Sequence, residues 1–286
     1  MIGFGHVRYL SERGYLGPHS RLLDIGSQNL LNLSREDVQW FVYKHGGAIM
    51  PEAAEQLASA ASIQPGKATL YLSELMVHTD ITYGSYDVCP GIETTIFDLN
   101  TDAVPEKEKG TFDVVLNIGT TEHVLHQFNA FKVIHEAAKV GGIIMHQVPE
   151  AGYTGHGYFA YRPQFFRDLA EANGYEILDI WHNNSGYDVL SEEVDFRDPY
   201  RPGVPASGAE THPLTVVNYN LNVVMRKTAD KTFRCGLELA TSHAAVDPAV
   251  AGRYAQAGVG REGRAPHAAE KGFMSRLANA FRRWRR

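Results

Sequence analysis

Residues 111–148 read TFDVVLNIGTTEHVLHQFNAFKVIHEAAKVGGIIMHQV, and the order of elements in this stretch decides the fold. Thr111–Asn117 is a short apolar run of the kind that forms a buried strand. Glu122–Lys139 reads as helical, and Gly141-Gly142 opens a second apolar strand, Ile143–Val148. The same alternation continues on both sides. Arg21–Gly26 is an apolar strand running into a glycine turn, Ile81–Val88 a strand carrying Asp87, and Glu93–Phe97 a short strand followed by Asp98. Pro163–Asn173 is a helix stopped by Gly174, and Tyr175–Trp181 is another strand. Strands alternating with helices make a parallel sheet covered on both faces. Leu214–Arg226 follows a loop instead of a helix, which places it as an antiparallel strand near the end of the sheet. The expected fold is therefore α/β, a doubly wound, mostly parallel seven-stranded sheet with an antiparallel last strand.

Working outward, residues 1–20 look like a short helix and a loop, residues 34–62 like two helices, and Thr69–Val77 like a further helical stretch. Together they predict a helical insertion over about 29–79, between the first and second strands. The main domain is expected to span 1–228. Residues 229–270, rich in alanine, glycine and small polar residues toward their end, read as a flexible linker. In 271–286, Phe273, Met274, Leu277, Phe281 and Trp284 fall on one face of a helix surrounded by arginines.

Charge divides the chain in the same place. The whole carries 27 Lys+Arg against 33 Asp+Glu, a net charge of −6. Residues 271–286 hold six of the basic residues and no acidic one, so the remainder carries −12 and the end +6. A −12 body repels a phosphate backbone, which argues against nucleic acid as a partner. The basic amphipathic end suits peripheral contact with an anionic membrane or an acidic partner, and a helix docked on the acidic body or a solvated basic tail are the simpler readings. No window is long and apolar enough to span a bilayer, and MIGFGHVRYLSERGY lacks the apolar core of a signal peptide. Two cysteines, Cys89 and Cys235, provide neither a disulfide framework nor a thiolate zinc site. The expected setting is cytoplasmic, with the inner face of the membrane open as a peripheral location.

Two glycine motifs imitate dinucleotide loops. Gly3-Phe-Gly5 has no strand before it, and Gly258-Val-Gly260-Arg-Glu-Gly263 follows Arg253-Tyr-Ala-Gln-Ala257 rather than an apolar strand. Leu22-Leu-Asp-Ile-Gly-Ser-Gln28 has the right context, an apolar strand ending at a glycine where a ligand can approach the backbone. Asp24, Asp87, Asp98 and Asn117 all fall at strand ends, the positions that line the ligand crevice of a doubly wound sheet. Carboxylates there disfavour pyrophosphate and suit a ligand bearing an ammonium group and sugar hydroxyls.

With these residues in view, the sequence resembles the class I S-adenosylmethionine-dependent methyltransferases. The resemblance is carried by LLDIGSQ (22–28), SYDV (85–88), IFDLN (96–100), FDVVLNIGTTEHV (112–124), KVGGIIMHQVP (139–149) and YFAYRPQFFRDLAEANGYEILDI (158–180). It covers about residues 20–227 and implies a Rossmann-like methyltransferase fold with S-adenosyl-L-methionine as cofactor. It further implies that Asp24 and Gly26 hold the methionine part with Gln28 nearby, and that Asp87 accepts from the ribose hydroxyls. Asp98 and Leu99 would flank the adenine, and Asn117, Ile118 and Gly119 would line the wall near the sulfonium. Glu122 and His123 would face the acceptor. The first loop departs from the family, because Ser27-Gln28-Asn29 stands where further glycines are usual.

The histidines grouped after the fourth and fifth strands, His123, His126, His146 and His156, suit proton transfer near neutrality. Glu122, His123 and His156 are accordingly the candidate catalytic residues. Simpler uses stay open: the aspartates as turn residues or caps, His123 as a hydrogen-bonded helix-start residue, Glu122 as a favourable charge at a helix N-terminus. No third ligand stands at a firm spacing from His123 and His126, so no metal site is expected. Tyr153, His156, Tyr158 and Tyr161 form an aromatic loop that reads as a substrate gate or a lid on the core. The sequence thus favours a methyltransferase acting on a small-molecule or glycan-type acceptor, most simply at oxygen. The alternative is a non-catalytic binding or scaffold protein with the same fold. Oligomeric state has no signature in the sequence.

Overall fold

Seven strands form the central sheet of the computed structural model: β1 (Arg21–Ile25), β2 (Thr82–Asp87), β3 (Thr94–Ile96), β4 (Phe112–Ile118), β5 (Ala138–Ala151), β6 (Tyr175–Val189) and β7 (Thr215–Lys227). The structure describes residues 1–61, 69–189, 215–238 and 247–254. In space the strands run β3-β2-β1-β4-β5-β7-β6. The first five are mutually parallel, and β7 lies antiparallel between β5 and β6. The expected fold class is therefore the observed one.

Period-two alternation gives each strand two faces. Leu22 of β1 and Val114, Leu116 and Ile118 of β4 point to one core, filled by Phe4, Val7 and Leu10 of α1 (Phe4–Glu12) and by Val38 and Phe41 of α2 (Arg35–Lys44). Leu23, Ile25, Val115 and Ile144 point to the other, covered by α5 (Gln127–Ala137) and α6 (Pro163–Asn173). The insertion after β1 contains α2, α3 (Pro51–Ala60) and α4 (Leu72–Met76). Leu30–Leu31 there pairs in parallel with Ile2–Gly3. Ser34 and Asp37 form a reciprocal capping box that starts α2, and Pro51 starts α3 at a position where no backbone donor is needed.

Several boundaries differ from the sequence reading, and β6, expected to end at Trp181, runs on to Val189. The glycine pair does not open β5: the strand already begins at Ala138 opposite Phe112, and Gly141, at φ +83°, is absorbed where the register shifts between Phe112 and Val114. The helix expected from Glu122 begins at Gln127. The chain also stays on the domain beyond residue 228. Buried Asn173 donates to Arg234 O (2.9 Å) and accepts from its N–H (2.7 Å), and Phe233 is buried against the α5 and α6 core.

Two compact units divide the chain, Met1–Cys235 and Gly236–Arg286. In the second, the described residues include α7 (Pro248–Tyr254). The amphipathic segment 271–286 and Gly258–Gly263 lie outside the described residues. Among the described residues, no helix is long and apolar enough to cross a membrane.

Candidate functional site

The strand order reverses at β1, with β2 on one side and β4 on the other, which brings the ends of these three strands together. Ile25 pairs with both Tyr86 and Asn117. Gly26 then turns the chain at φ +87°, a conformation that favours glycine. Its N–H donates to Tyr86 O (2.8 Å). A Cβ at Gly26 would lie 2.5 Å from Thr120 Oγ1, so the turn also needs glycine for space. Thr120 donates to Ile25 O (2.6 Å), and Gln28 Nε2 donates to Thr120 Oγ1 and Gly26 O, both at 3.2 Å.

Asp24 is fully buried beneath this turn. Its Oδ2 accepts from Tyr83 OH (3.1 Å) and Gln28 N–H (3.2 Å), whereas Oδ1 has no hydrogen-bond partner. Burial pushes its pKa up to about 7 against those two bonds. The Met1 ammonium donates to Gln28 Oε1 (2.5 Å), and the negative charges of Asp24 and Glu122 partly offset the burial that lowers its pKa. Asp87 ties the turn to β2: its Oδ2 accepts from Ser27 N–H (2.7 Å) and its Oδ1 from Cys89 N–H (2.8 Å). Ser27 Oγ is buried without a partner.

Asp98 follows β3 in a tight local turn. Its Oδ1 accepts from Asn100 N–H (2.8 Å) and Nδ2 (3.0 Å), bonds that hold its pKa below the usual value. Leu99 is buried in the α5 and α6 core. Asn117, fully buried at the end of β4, donates to Thr121 Oγ1 (2.9 Å) and accepts from Thr121 N–H (3.2 Å). It also meets His146 Nδ1 of β5 at 2.9 Å. Burial pushes His146 down to about 3, so a neutral ring faces Asn117. Ile118 is buried on the opposite face, and Gly119 leaves the strand at φ +66°, donating to Gln147 O (2.8 Å).

The segment after Gly119 explains the late start of α5. Asn117 captures Thr121 N–H, and Gln127 Nε2 donates back to Thr121 O (2.7 Å) and Val124 O (2.5 Å). These side-chain bonds satisfy backbone groups that would otherwise continue a helix, leaving a single 3₁₀ turn over Thr121–His123. That turn carries Glu122, which is 1% exposed, and His123, whose side chain is 47% exposed. The loop after β5 folds back onto it: Tyr158 N–H donates to Glu122 O (2.7 Å), and Gly157, at φ +71°, packs against the Glu122 side chain.

His156 is thereby brought beside the other two. Glu122 Oε1 lies 3.7 Å from His156 Nε2 and 4.0 Å from His123 Nε2, and the two imidazoles meet edge to face at 4.6 Å. Glu122 Oε2 is buried without a partner, and burial pushes its pKa up to about 7. Burial first, then the neighbouring His156 and the amino terminus, lowers the His123 pKa, so its ring is neutral at pH 7. The three candidate catalytic residues thus share one place. His126, by contrast, turns away to bond Asn100 O (2.8 Å), and His135 sits between Tyr175 and Lys231 O.

Sequence reasoning missed Tyr83 and Thr120. Tyr83 reaches Asp24 only through the β1–β2 register, and Thr120 reaches Gly26 only because β4 is the other neighbour of β1; neither contact leaves a local signal.

A seven-stranded sheet in this order, with a reversed seventh strand and acidic residues at the ends of β1 and β2, is a doubly wound, Rossmann-like architecture. A putative methyltransferase from Bacillus halodurans is 9% identical, with 78% of this chain and 99% of that one covered, at a TM-score of 0.47. TehB from Haemophilus influenzae is 13% identical at a TM-score of 0.43; 78% of this chain is covered, but it spans only 62% of TehB. A 1,6-didemethyltoxoflavin-N1-methyltransferase from Burkholderia thailandensis, with bound 1,6-didemethyltoxoflavin and S-adenosylhomocysteine, is 13% identical over 78% of each chain, at a TM-score of 0.39. No protein-family model and no curated protein sequence matches the chain.

Proposed function

We propose that the protein is an S-adenosylmethionine-dependent methyltransferase that modifies a small-molecule or glycan-type acceptor at oxygen. The observation that carries this reading is the unpartnered Asp24 Oδ1, fully buried beneath the β1 turn, with the unpartnered Ser27 Oγ in the same turn. A buried carboxylate is costly unless a cation or donors complete its shell, and an amino-acid ammonium supplies both. The residues present therefore fit the cofactor. Asp24, Gly26 and Gln28 would hold the methionine part, and each Asp87 oxygen keeps a lone pair for a ribose hydroxyl. Asp98 and Leu99 would flank the adenine, with Asn117, Ile118 and Gly119 beside the sulfonium.

When bound, S-adenosylmethionine supplies an electrophilic methyl group for an in-line displacement, a reaction governed by positioning. On the acceptor side, the neutral His123 ring can take the proton of an attacking hydroxyl, and the Glu122 carboxylate beside it stabilises the imidazolium that forms. His156 would complete the acceptor side.

One observation favours the second reading, a non-catalytic binding protein. The Thr120 and Gln28 side chains stand over Gly26, in space that the glycines usual in this loop leave open. Calorimetry on the full chain separates the two. The enzyme reading expects saturable one-site binding of S-adenosylmethionine and S-adenosylhomocysteine, weakened about tenfold or more by Asp87→Ala, the usual cost of a hydrogen bond to a charged group. Absence of binding for both ligands, in wild type and variant alike, would overturn it.

A further inference from the structure

We propose that Glu122, His123 and His156 bind one divalent transition-metal cation. The inference stands on the geometry of these three side chains and does not require that the protein transfer methyl groups. One ligand atom from each lies within 4.8 Å of the other two. Zinc bonds of about 2.0–2.1 Å place tetrahedral ligands roughly 3.3–3.4 Å apart. Rotation of two half-exposed rings closes the remaining gap. Neither imidazole is committed elsewhere: among the described residues each faces only Glu122, the other ring and, for His156, the Tyr153 ring at 5.7 Å.

The framework fixes the three ligands relative to one another. Glu122 and His123 share the 3₁₀ turn pinned by Asn117 and Gln127. The His156 loop is clamped to that turn, with Tyr158 N–H and Phe159 N–H both directed at Glu122 O (2.7 and 3.3 Å) and Gly157 packed on the Glu122 side chain. The carboxylate is buried and Oε2 lacks any donor, so a dication would offset a desolvation cost that a backbone hydrogen bond and the Met1 ammonium meet only in part.

Two imidazole nitrogens and one carboxylate oxygen favour zinc, cobalt or nickel over magnesium or calcium, which take oxygen ligands. Three protein ligands also leave a coordination position for water or an acceptor oxygen, the arrangement of catalytic rather than structural sites. In the metal-loaded form the imidazoles are occupied as ligands. When bound, the metal would polarise a water or acceptor oxygen at the open position, and proton uptake by His123 would belong to the metal-free protein.

The test is titration of tag-free, chelator-treated full-length protein with Zn²⁺ by calorimetry and with Co²⁺ by visible absorption, with no methyl donor present. The expected result is one equivalent bound and a low-coordinate cobalt spectrum. His123→Ala and His156→Ala should each weaken binding about a hundredfold or more, since loss of outer-shell partners alone costs 10–100-fold. Both side chains are half exposed, so unchanged thermal unfolding checks that the variants are folded. His182→Ala, which removes a different histidine–carboxylate pair (His182 Nε2 to Glu150 Oε2, 2.6 Å), should leave the titration unchanged. No saturable binding, or equal binding by the His123→Ala/His156→Ala double variant, would overturn the proposal. Calorimetry with S-adenosylhomocysteine on the metal-free protein reports separately on the cofactor site.

Discussion

Asp24 concentrates the chemistry of the site in one side chain. Burial lifts its pKa from the ordinary 3.8 to about 7. Between those values the folded protein holds a proton that the unfolded chain has released. This contribution to stability is fully present below about pH 4 and is lost as pH rises through about 7. A shift of this size corresponds to an effect on the order of a few kcal/mol. Asp24→Asn removes the titration while keeping an oxygen for Tyr83 OH and Gln28 N–H. Urea unfolding at pH 5, 6.5 and 8 should show the wild type losing stability relative to the variant as pH rises. Parallel curves would mean that Asp24 is not the buried acid described. At this scale the sequence offered Asp24 and Gly26 as candidates, because an apolar strand ending at a glycine lets a ligand approach the backbone. It was silent about their partners. Tyr83 is 59 positions from Asp24, and the unpartnered state of Oδ1 exists only in three dimensions.

The elements were legible wherever local chemistry decides them. Pro163 and Gly174 bracket α6 as expected, with Gly174 at φ +68° and its carbonyl accepting from Thr228 N–H (2.9 Å) and Oγ1 (2.8 Å). They were illegible where side chains overrule the backbone pattern. The helical pattern from Glu122 is broken because Asn117 and Gln127 take up the backbone groups around Thr121, and the break is what presents Glu122 and His123 on a turn. Gly174 and Gly26 both hold left-handed backbone, but only Gly26 lies in the proposed cofactor turn. Gly174→Ala should cost about 1–2 kcal/mol, the penalty for a side chain in left-handed backbone, and leave S-adenosylhomocysteine affinity unchanged. Gly26→Ala meets the same penalty and also drives a Cβ into Thr120, so it should lower both stability and affinity. Chemical denaturation paired with calorimetry checks both. Equal effects on affinity would remove the β1 turn from the binding site.

For the molecule as a whole, topology places the site. A parallel sheet whose order reverses at β1 opens its crevice there, and Asp24, Asp87 and Glu122 come from three segments that meet at that point. The −12 charge of residues 1–270 suits a cationic small molecule as ligand. A crystal structure of the protein grown with S-adenosylhomocysteine asks whether this end of the sheet holds the methyl donor. The expected result is the ribose hydroxyls on Asp87, the amino group on Asp24, and Thr120 or Gln28 displaced from above Gly26. S-adenosylhomocysteine absent at saturating concentration, or bound away from Asp24 and Asp87, would contradict it.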